Sequence, residues 1–280
     1  VFGIMPWNYP FWQAFRAIIP AMTAGNCFVL KHASNVPQCA EAIEESFRAV
    51  GFPEGVFQNL FLSSSRIEKL IRDSRIAAVT LTGSEKAGSE VARTSGEEIK
   101  KVVLELGGSD PFIVFADADM EKAAEIAVAA RLQANAGQSC ISAKRFIIEE
   151  SIKDKFTEAV VKEFSKLKVG DPADKNTDIG PLATEQILLE VEDQVQKSVK
   201  LGAKVVYGGK RKEGKGYFYL PTVITNVKKG MPVYDEEVFG PVLPIIVFEK
   251  EAQAIQIAND TRYGLGASIF TNDKEKARRI

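Results

Sequence analysis

Cys140 lies in Asn135-Ala136-Gly137-Gln138-Ser139-Cys140-Ile141-Ser142-Ala143-Lys144-Arg145, where helix-forming residues give way to Asn, Gly and Ser before a strand-like Arg145–Ile148. A thiol in a glycine-containing loop between a helix and a strand stands where reactive groups are usually presented. The alternative is a packed cysteine, since free cysteine is among the most buried residue types. Glu105 is flanked by Leu104 and Leu106 and followed by Gly107-Gly108. Partial burial there would raise a carboxyl pKa toward that of a general base; a surface glutamate would instead pair with Lys100 or Lys101. Asn8, within Pro6-Trp7-Asn8-Tyr9-Pro10, can cap the next helix or offer its side-chain amide to an oxyanion.

Two further turns could hold an anion. Lys31-His32-Ala33-Ser34-Asn35 places a lysine at a strand's carboxyl end, with Ser and Asn opening a helix. Its alternative is an ordinary helix cap beside a solvated lysine. In Thr82-Gly83-Ser84-Glu85-Lys86-Ala87-Gly88, Gly83 admits a ligand to the backbone, Ser84 caps a helix, and the helix N-terminus attracts phosphate. The pattern is neither G-x-G-x-x-G nor a Walker loop. His32 is the only histidine, so no Ser-His-Asp relay or His-based metal site can form without it. Its neighbours suggest neither, and it is expected at the surface. Cys27, Cys39 and Cys140 are an odd set with no C-x-x-C pair, so neither a disulfide framework nor a zinc site follows. No metal is expected, and the setting expected is reducing and cytoplasmic.

The elements that position these groups follow from composition and pattern. The 280 residues are 45% hydrophobic and 26% charged, a globular composition with enough apolar residues for a core. A net charge of −1 argues against nucleic acid or an anionic membrane as partner, and no apolar run is long enough to span a bilayer. Apolar runs at Val1–Met5, Asn26–Leu30, Val56–Leu62, Ile76–Leu81 and Lys101–Leu106 alternate with amphipathic stretches near Tyr9–Thr23, Val36–Val50, Ser64–Arg72 and Ser84–Thr94. That rhythm predicts a parallel sheet with helices on both faces, and ligands of such sheets bind at strand carboxyl ends.

A strand Phe112–Phe115 and a long helix from Asp119 lead into the cysteine loop. Next come a strand Arg145–Ile148, helices near Ser151–Leu167 and Glu185–Leu201, and strands Lys204–Tyr207, Thr222–Val227 and Val242–Phe248. A helix and a strand ending near Phe270 complete a second α/β domain. The boundary is expected near Gly107-Gly108, with Glu105 and Cys140 flanking the cleft between domains, a preferred place for ligands. Both chain ends look cut from a longer protein.

Taken jointly, Pro6-Trp7-Asn8-Tyr9-Pro10, Leu104-Glu105-Leu106-Gly107-Gly108, Gly137-Gln138-Ser139-Cys140 and Glu236-Glu237-Val238-Phe239-Gly240-Pro241 resemble the motifs of the aldehyde dehydrogenase superfamily, in its order. The resemblance covers essentially the whole chain. It implies a Rossmann-type cofactor domain over residues 1–107 and a catalytic α/β domain over 108–280, both truncated. By motif position, Cys140 would add to an aldehyde as a thiohemiacetal, and Asn8 with the Cys140 backbone N–H would hold the oxyanion. Glu105 would activate the water that hydrolyses the later thioester. Ile4, Pro6, Trp7, Lys31, Ser34, Gly83, Ser84, Gly88, Leu106, Glu237 and Phe239 would line the cofactor, with Glu237 on the nicotinamide ribose.

Two departures from the family pattern bear on the cofactor. Many NAD-preferring members read K-P-x-E at the Lys31 turn, and that glutamate binds the adenosine ribose hydroxyls. Ser34 stands in its place here, so Lys31 and Ser34 could hold a 2′-phosphate; NADP is expected over NAD. Leu62-Ser63-Ser64-Ser65 replaces a glycine-bearing loop near the adenosine. On the substrate side, Trp12 and Arg16 share a helix face at i and i+4, and Ser139 adjoins the nucleophile. Phe11-Trp12-Gln13-Ala14-Phe15-Arg16 is similar to the stretch in succinate-semialdehyde dehydrogenases, and an arginine there suits a substrate carboxylate. A surface salt bridge is the alternative for Arg16. Oxidation of succinate semialdehyde is thus expected, with another aliphatic aldehyde, a non-catalytic cofactor-binding relative, or transfer to coenzyme A as alternatives. The full-length protein is expected to be a homo-oligomer, dimer or tetramer.

Overall fold

The structure, a computed structural model, describes residues 1–133 and 135–280. The chain forms two compact units, Val1–Gly107 and Gly108–Ile280.

The first unit alternates strand and helix: β1 Phe2–Met5, α1 Pro10–Thr23, β2 Phe28–His32, α2 Pro37–Ala49, β3 Phe57–Asn59, α3 Ile67–Ile71, β4 Ala78–Thr82, α4 Glu85–Glu97 and β5 Lys101–Glu105. The five strands run parallel in the order β3-β2-β1-β4-β5, with the strand order reversing between β1 and β4. Both faces are covered, as continuous apolar strands require. Phe28, Leu30, Phe47 and Phe57 pack with α1 and α2 on one side. Phe2, Ile4, Val79, Leu81 and Val91 pack with α3 and α4 on the other. Pro10 and Pro37 begin α1 and α2, where a missing N–H costs nothing.

Two expectations change in this unit. β2 runs on to His32, which lies opposite Met5 of β1, so Lys31 and His32 belong to the strand rather than to the turn. His32 is consequently buried, not at the surface. Its Nε2 lies 3.0 Å from the Pro10 carbonyl and its Nδ1 accepts the Ala33 N–H at 2.8 Å. The neutral Nε2–H tautomer satisfies both bonds, and burial above all lowers the imidazole pKa. His32 therefore braces the Pro6–Pro10 turn. The N-cap of α1 is Tyr9, so Asn8 does not cap that helix.

The second unit comprises β6 Asp110–Val114, α5 Met120–Val128, β7 Ala143–Glu149, α6 Lys153–Ser165, α7 Glu185–Lys200, β8 Lys204–Tyr207, β9 Thr222–Thr225, α8 Pro232–Asp235, β10 Val242–Phe248, α9 Glu251–Asn259, β11 Ser268–Phe270 and α10 Lys274–Arg279. Its sheet has the order β11-β6-β7-β10-β9-β8, parallel except for the β8–β9 pair. The expected long helix from Asp119 is a short α-helix followed by a π-helical turn, Ala129–Gln133. Such widened turns occur frequently at functional sites. Among the described residues, no helix is long and apolar enough to cross a membrane.

Candidate active site

In the first unit, one edge of the sheet gathers most of the expected cofactor residues. Pro6 and Trp7 follow β1, Gly83 and Ser84 follow β4, Lys31 sits near the end of β2, and Glu105 ends β5 with Leu106 just beyond. Ser84 caps α4, its Oγ accepting the Ala87 N–H at 3.3 Å. Gly83 has only the Leu81 side chain near its missing Cβ, so its backbone is open to a ligand. Gly88 differs, because a Cβ there would meet Leu106 Cδ2 at 2.5 Å. Close packing on Leu106 accounts for that glycine within the chain.

A cavity of about 380 Å³ opens in this unit, lined among others by Ile4, Lys31, Ser64, Ser65, Leu81 and Val91. Glu68 and Glu90 in its wall pair with Arg72 and Arg93. Lys31 is buried, and burial lowers its pKa. Ser34 is exposed and does not cap α2, whose N-cap is Val36.

Arg16 and Glu105 meet directly. Arg16 Nη1 donates to Glu105 Oε1 at 3.0 Å, its Nε donates to Gln13 Oε1 at 3.1 Å, and Nη2 reaches Thr82 Oγ1 at 3.5 Å. Glu105 is half-exposed and pairs with Arg16 rather than with Lys100, which is held by the Ile71 and Asp73 carbonyls. Trp12, one turn before Arg16 on α1, is exposed.

The second unit builds its candidate site at the amino ends of adjacent parallel strands. Gly108 precedes β6, Cys140 precedes β7, and Glu237 and Gly240 precede β10, neighbours in the order β6-β7-β10. Asn135, Ala136 and Gly137 all have positive φ, at 59°, 54° and 77°. For Ala136 this is a costly left-handed conformation, of the kind that functional sites hold by over-determining their surroundings. A Cβ on Gly137 would lie 2.5 Å from the Gly240 carbonyl oxygen, and one on Gly108 would lie 2.6 Å from that of Cys140. These glycines let three chain segments converge. Gln138 ties the loop down, donating to the Asn135 carbonyl at 3.0 Å and accepting the Ala183 N–H at 2.8 Å.

Cys140 is partly exposed, between buried Ser139 and exposed Ile141. Ser139 Oγ is buried with no hydrogen-bond partner among the described residues. Burial raises the Cys140 thiol pKa; the positive charge of Lys144 lowers it, Glu237 raises it, and the backbone N–H groups of Ile141 and Cys140 lower it.

Sequence reasoning passed over the charges that hold this loop. Arg131, fully buried in the π-helical turn, donates to the carbonyls of Val238, Gly240, Val242 and Gly137. It thereby fastens the Glu237 segment to the segment before Cys140. Lys144, also buried, donates to the carbonyls of Ser139 at 2.7 Å, Cys140 at 2.9 Å and Ser142 at 3.3 Å. Its Nζ lies 3.3 Å from Glu237 Oε1, which also accepts the Gly108 N–H at 3.1 Å. The one signal in the sequence was two cations, Lys144 and Arg145, opening an otherwise apolar strand, since charged residues are buried only when paired. Phe239 is half-buried two residues after Glu237.

Comparison with known proteins agrees with this geometry. The model of the aldehyde dehydrogenase family matches residues 1–280. The chain is 52% identical, over all its 280 residues, to a succinate-semialdehyde dehydrogenase (NADP+) of Mycobacterium avium, covering 59% of that relative. The crystal structure of succinic semialdehyde dehydrogenase from Streptococcus pyogenes in complex with NADP+ superimposes with a TM-score of 0.95 at 40% identity, over 99% of this chain and 61% of that one. Lactaldehyde dehydrogenase from Escherichia coli superimposes with a TM-score of 0.96 at 38% identity, over 99% of this chain and 58% of that one. The chain thus spans about three fifths of the length of the proteins it matches. With the motifs, both sheets and the match along every residue in agreement, the chain belongs to the aldehyde dehydrogenase family.

Proposed function

We propose that this chain carries the reacting groups of an NADP-dependent dehydrogenase that oxidises succinate semialdehyde to succinate. The observation that carries the reading is Cys140, a partly exposed thiol on a strained loop whose backbone is held by Gln138 and Lys144. A thiol presented on a fixed backbone is what a thiolate nucleophile needs. The thiolate adds to the aldehyde carbon, and the Cys140 N–H with the Asn8 amide stabilises the resulting oxyanion. When bound, NADP supplies the hydride acceptor. Glu105 then takes a proton from the water that releases the acid from the Cys140 thioester.

The choice of NADP is supported by two relatives whose names include it and by Lys31. That lysine is buried in the wall of the cavity, where desolvation disfavours its charge unless an anion is brought alongside. A 2′-phosphate would supply one. No carboxylate stands at Ser34 to repel it. Glu237 would take the nicotinamide ribose, and Trp7, Phe239, Gly83 and Ser84 would line the rest. For the substrate, Arg16 is a half-exposed cation in a single exchangeable ion pair, suited to a carboxylate at the far end of the aldehyde.

Product analysis tests the reading with purified full-length protein, succinate semialdehyde and NADP, with and without coenzyme A. Succinate as the product in both cases supports it. Succinyl-coenzyme A would favour an acylating enzyme, and a tenfold preference for NAD would sink the cofactor choice.

A further inference from the structure

We propose that Lys144 is a positioning residue, whose ammonium holds the Cys140 loop and the Glu237 carboxylate in register and supplies the positive charge that faces the thiol. The inference rests on the reading of Cys140 as nucleophile and Glu237 as ribose ligand. Lys144 is the second residue of a strand buried along almost its whole length, where an apolar side chain would pack without desolvating a charge. Burying an unpaired ammonium is strongly unfavourable, so an ammonium persists there only with its acceptors supplied. The fold supplies them: three carbonyls from Ser139, Cys140 and Ser142, and Glu237 Oε1 at 3.3 Å. Three of the four belong to the loop that bears the nucleophile, and the fourth is the carboxylate assigned to the ribose.

The charged groups around Lys144 are Arg131, Glu237 and Asp110, together with the Cys140 thiol. Burial first and repulsion from Arg131 second push the Lys144 pKa down to about 8, against the pull of Glu237 and Asp110. Lys144 is therefore charged at neutral pH and discharges a little above it. Lys144 and Glu237 act on the thiol with opposite sign, Lys144 favouring the thiolate and Glu237 opposing it.

The test is alkylation of Cys140 by iodoacetamide across pH in the full-length protein, read peptide by peptide by mass spectrometry. Cys27 and Cys39 serve as internal controls. At pH 7, where Lys144 is still charged, the Cys140 alkylation rate is expected to fall about tenfold in Lys144→Met and Lys144→Gln relative to wild type, and to rise in Glu237→Gln. Glutamine can still donate to the loop carbonyls, so a purely structural role would leave the Lys144→Gln rate at pH 7 at the wild-type value; that result overturns the proposal. If Lys144→Met does not fold, the Gln variant decides alone. Alkylation requires neither aldehyde nor NADP, so changed rates at pH 7 in a protein that turns over no aldehyde would sink the dehydrogenase reading and leave the electrostatic role of Lys144 standing.

Discussion

Arg16 holds Glu105 through one half-exposed contact at 3.0 Å, an interaction worth about 0–1 kcal/mol. A substrate carboxylate of the proposed kind would therefore displace Glu105 from the guanidinium and free it for the general-base role proposed for it. Arg16→Ala is expected to raise KM for succinate semialdehyde roughly tenfold or more, the scale of a charge-assisted hydrogen bond. KM for a neutral aldehyde of similar length should barely change, and equal effects on both would refute the assignment. Glu105→Gln keeps the side-chain shape but cannot accept the proton. It is expected to leave a burst of NADPH stoichiometric with Cys140 and to cut steady-state turnover by about 100-fold or more; an undiminished steady state would remove Glu105 from the reaction. The thiol gives a pH prediction with a definite sign. Burial raises its pKa, so less thiolate is present at any given pH, and the alkylation midpoint of Cys140 should lie above that of free cysteine in solution. A midpoint below it would mean that Lys144 and the backbone donors outweigh burial.

The loops are where sequence and structure part. Val242–Phe248 and Lys204–Tyr207 are strands over the very residues their apolar pattern marks, because Gly, Pro and charge bound them on both sides. β2 runs two residues past its expected end, since Lys31 and His32 are polar but are covered by the neighbouring strand and the Pro6–Pro10 turn. Local pattern carries no information about such covering. The same limit hid Arg131 and Lys144, which look like surface charges until the segments before β7 and β10 converge on them. Arg131→Met tests that convergence. Removing the donor leaves up to four buried carbonyls without it, each worth about 1–3 kcal/mol if left unsatisfied. The denaturation midpoint should fall by the equivalent of about 3 kcal/mol or more. An unchanged midpoint would mean the carbonyls find other partners.

At the scale of the molecule, the alternation of strand and helix made the parallel sheets legible, and four short motifs in order made the family legible. That the strands following the second unit's groups lie side by side was not legible, because strand order depends on contacts far apart in sequence. Cofactor choice belongs to this scale too, since ligand binding stabilises the whole fold. NADP at 100 times its Kd is expected to stabilise the full-length protein by about 2.7 kcal/mol, and NAD at the same concentration by much less; equal stabilisation would contradict the role given to Lys31 and Ser34. The most direct measurement of the central claim is NADP reduction by purified full-length protein with succinate semialdehyde, with Cys140→Ala as the control. NADPH formation that disappears in Cys140→Ala while NADP binding persists is the expected result. Turnover that survives the substitution, or wild-type protein that binds NADP and turns over nothing, would contradict the account.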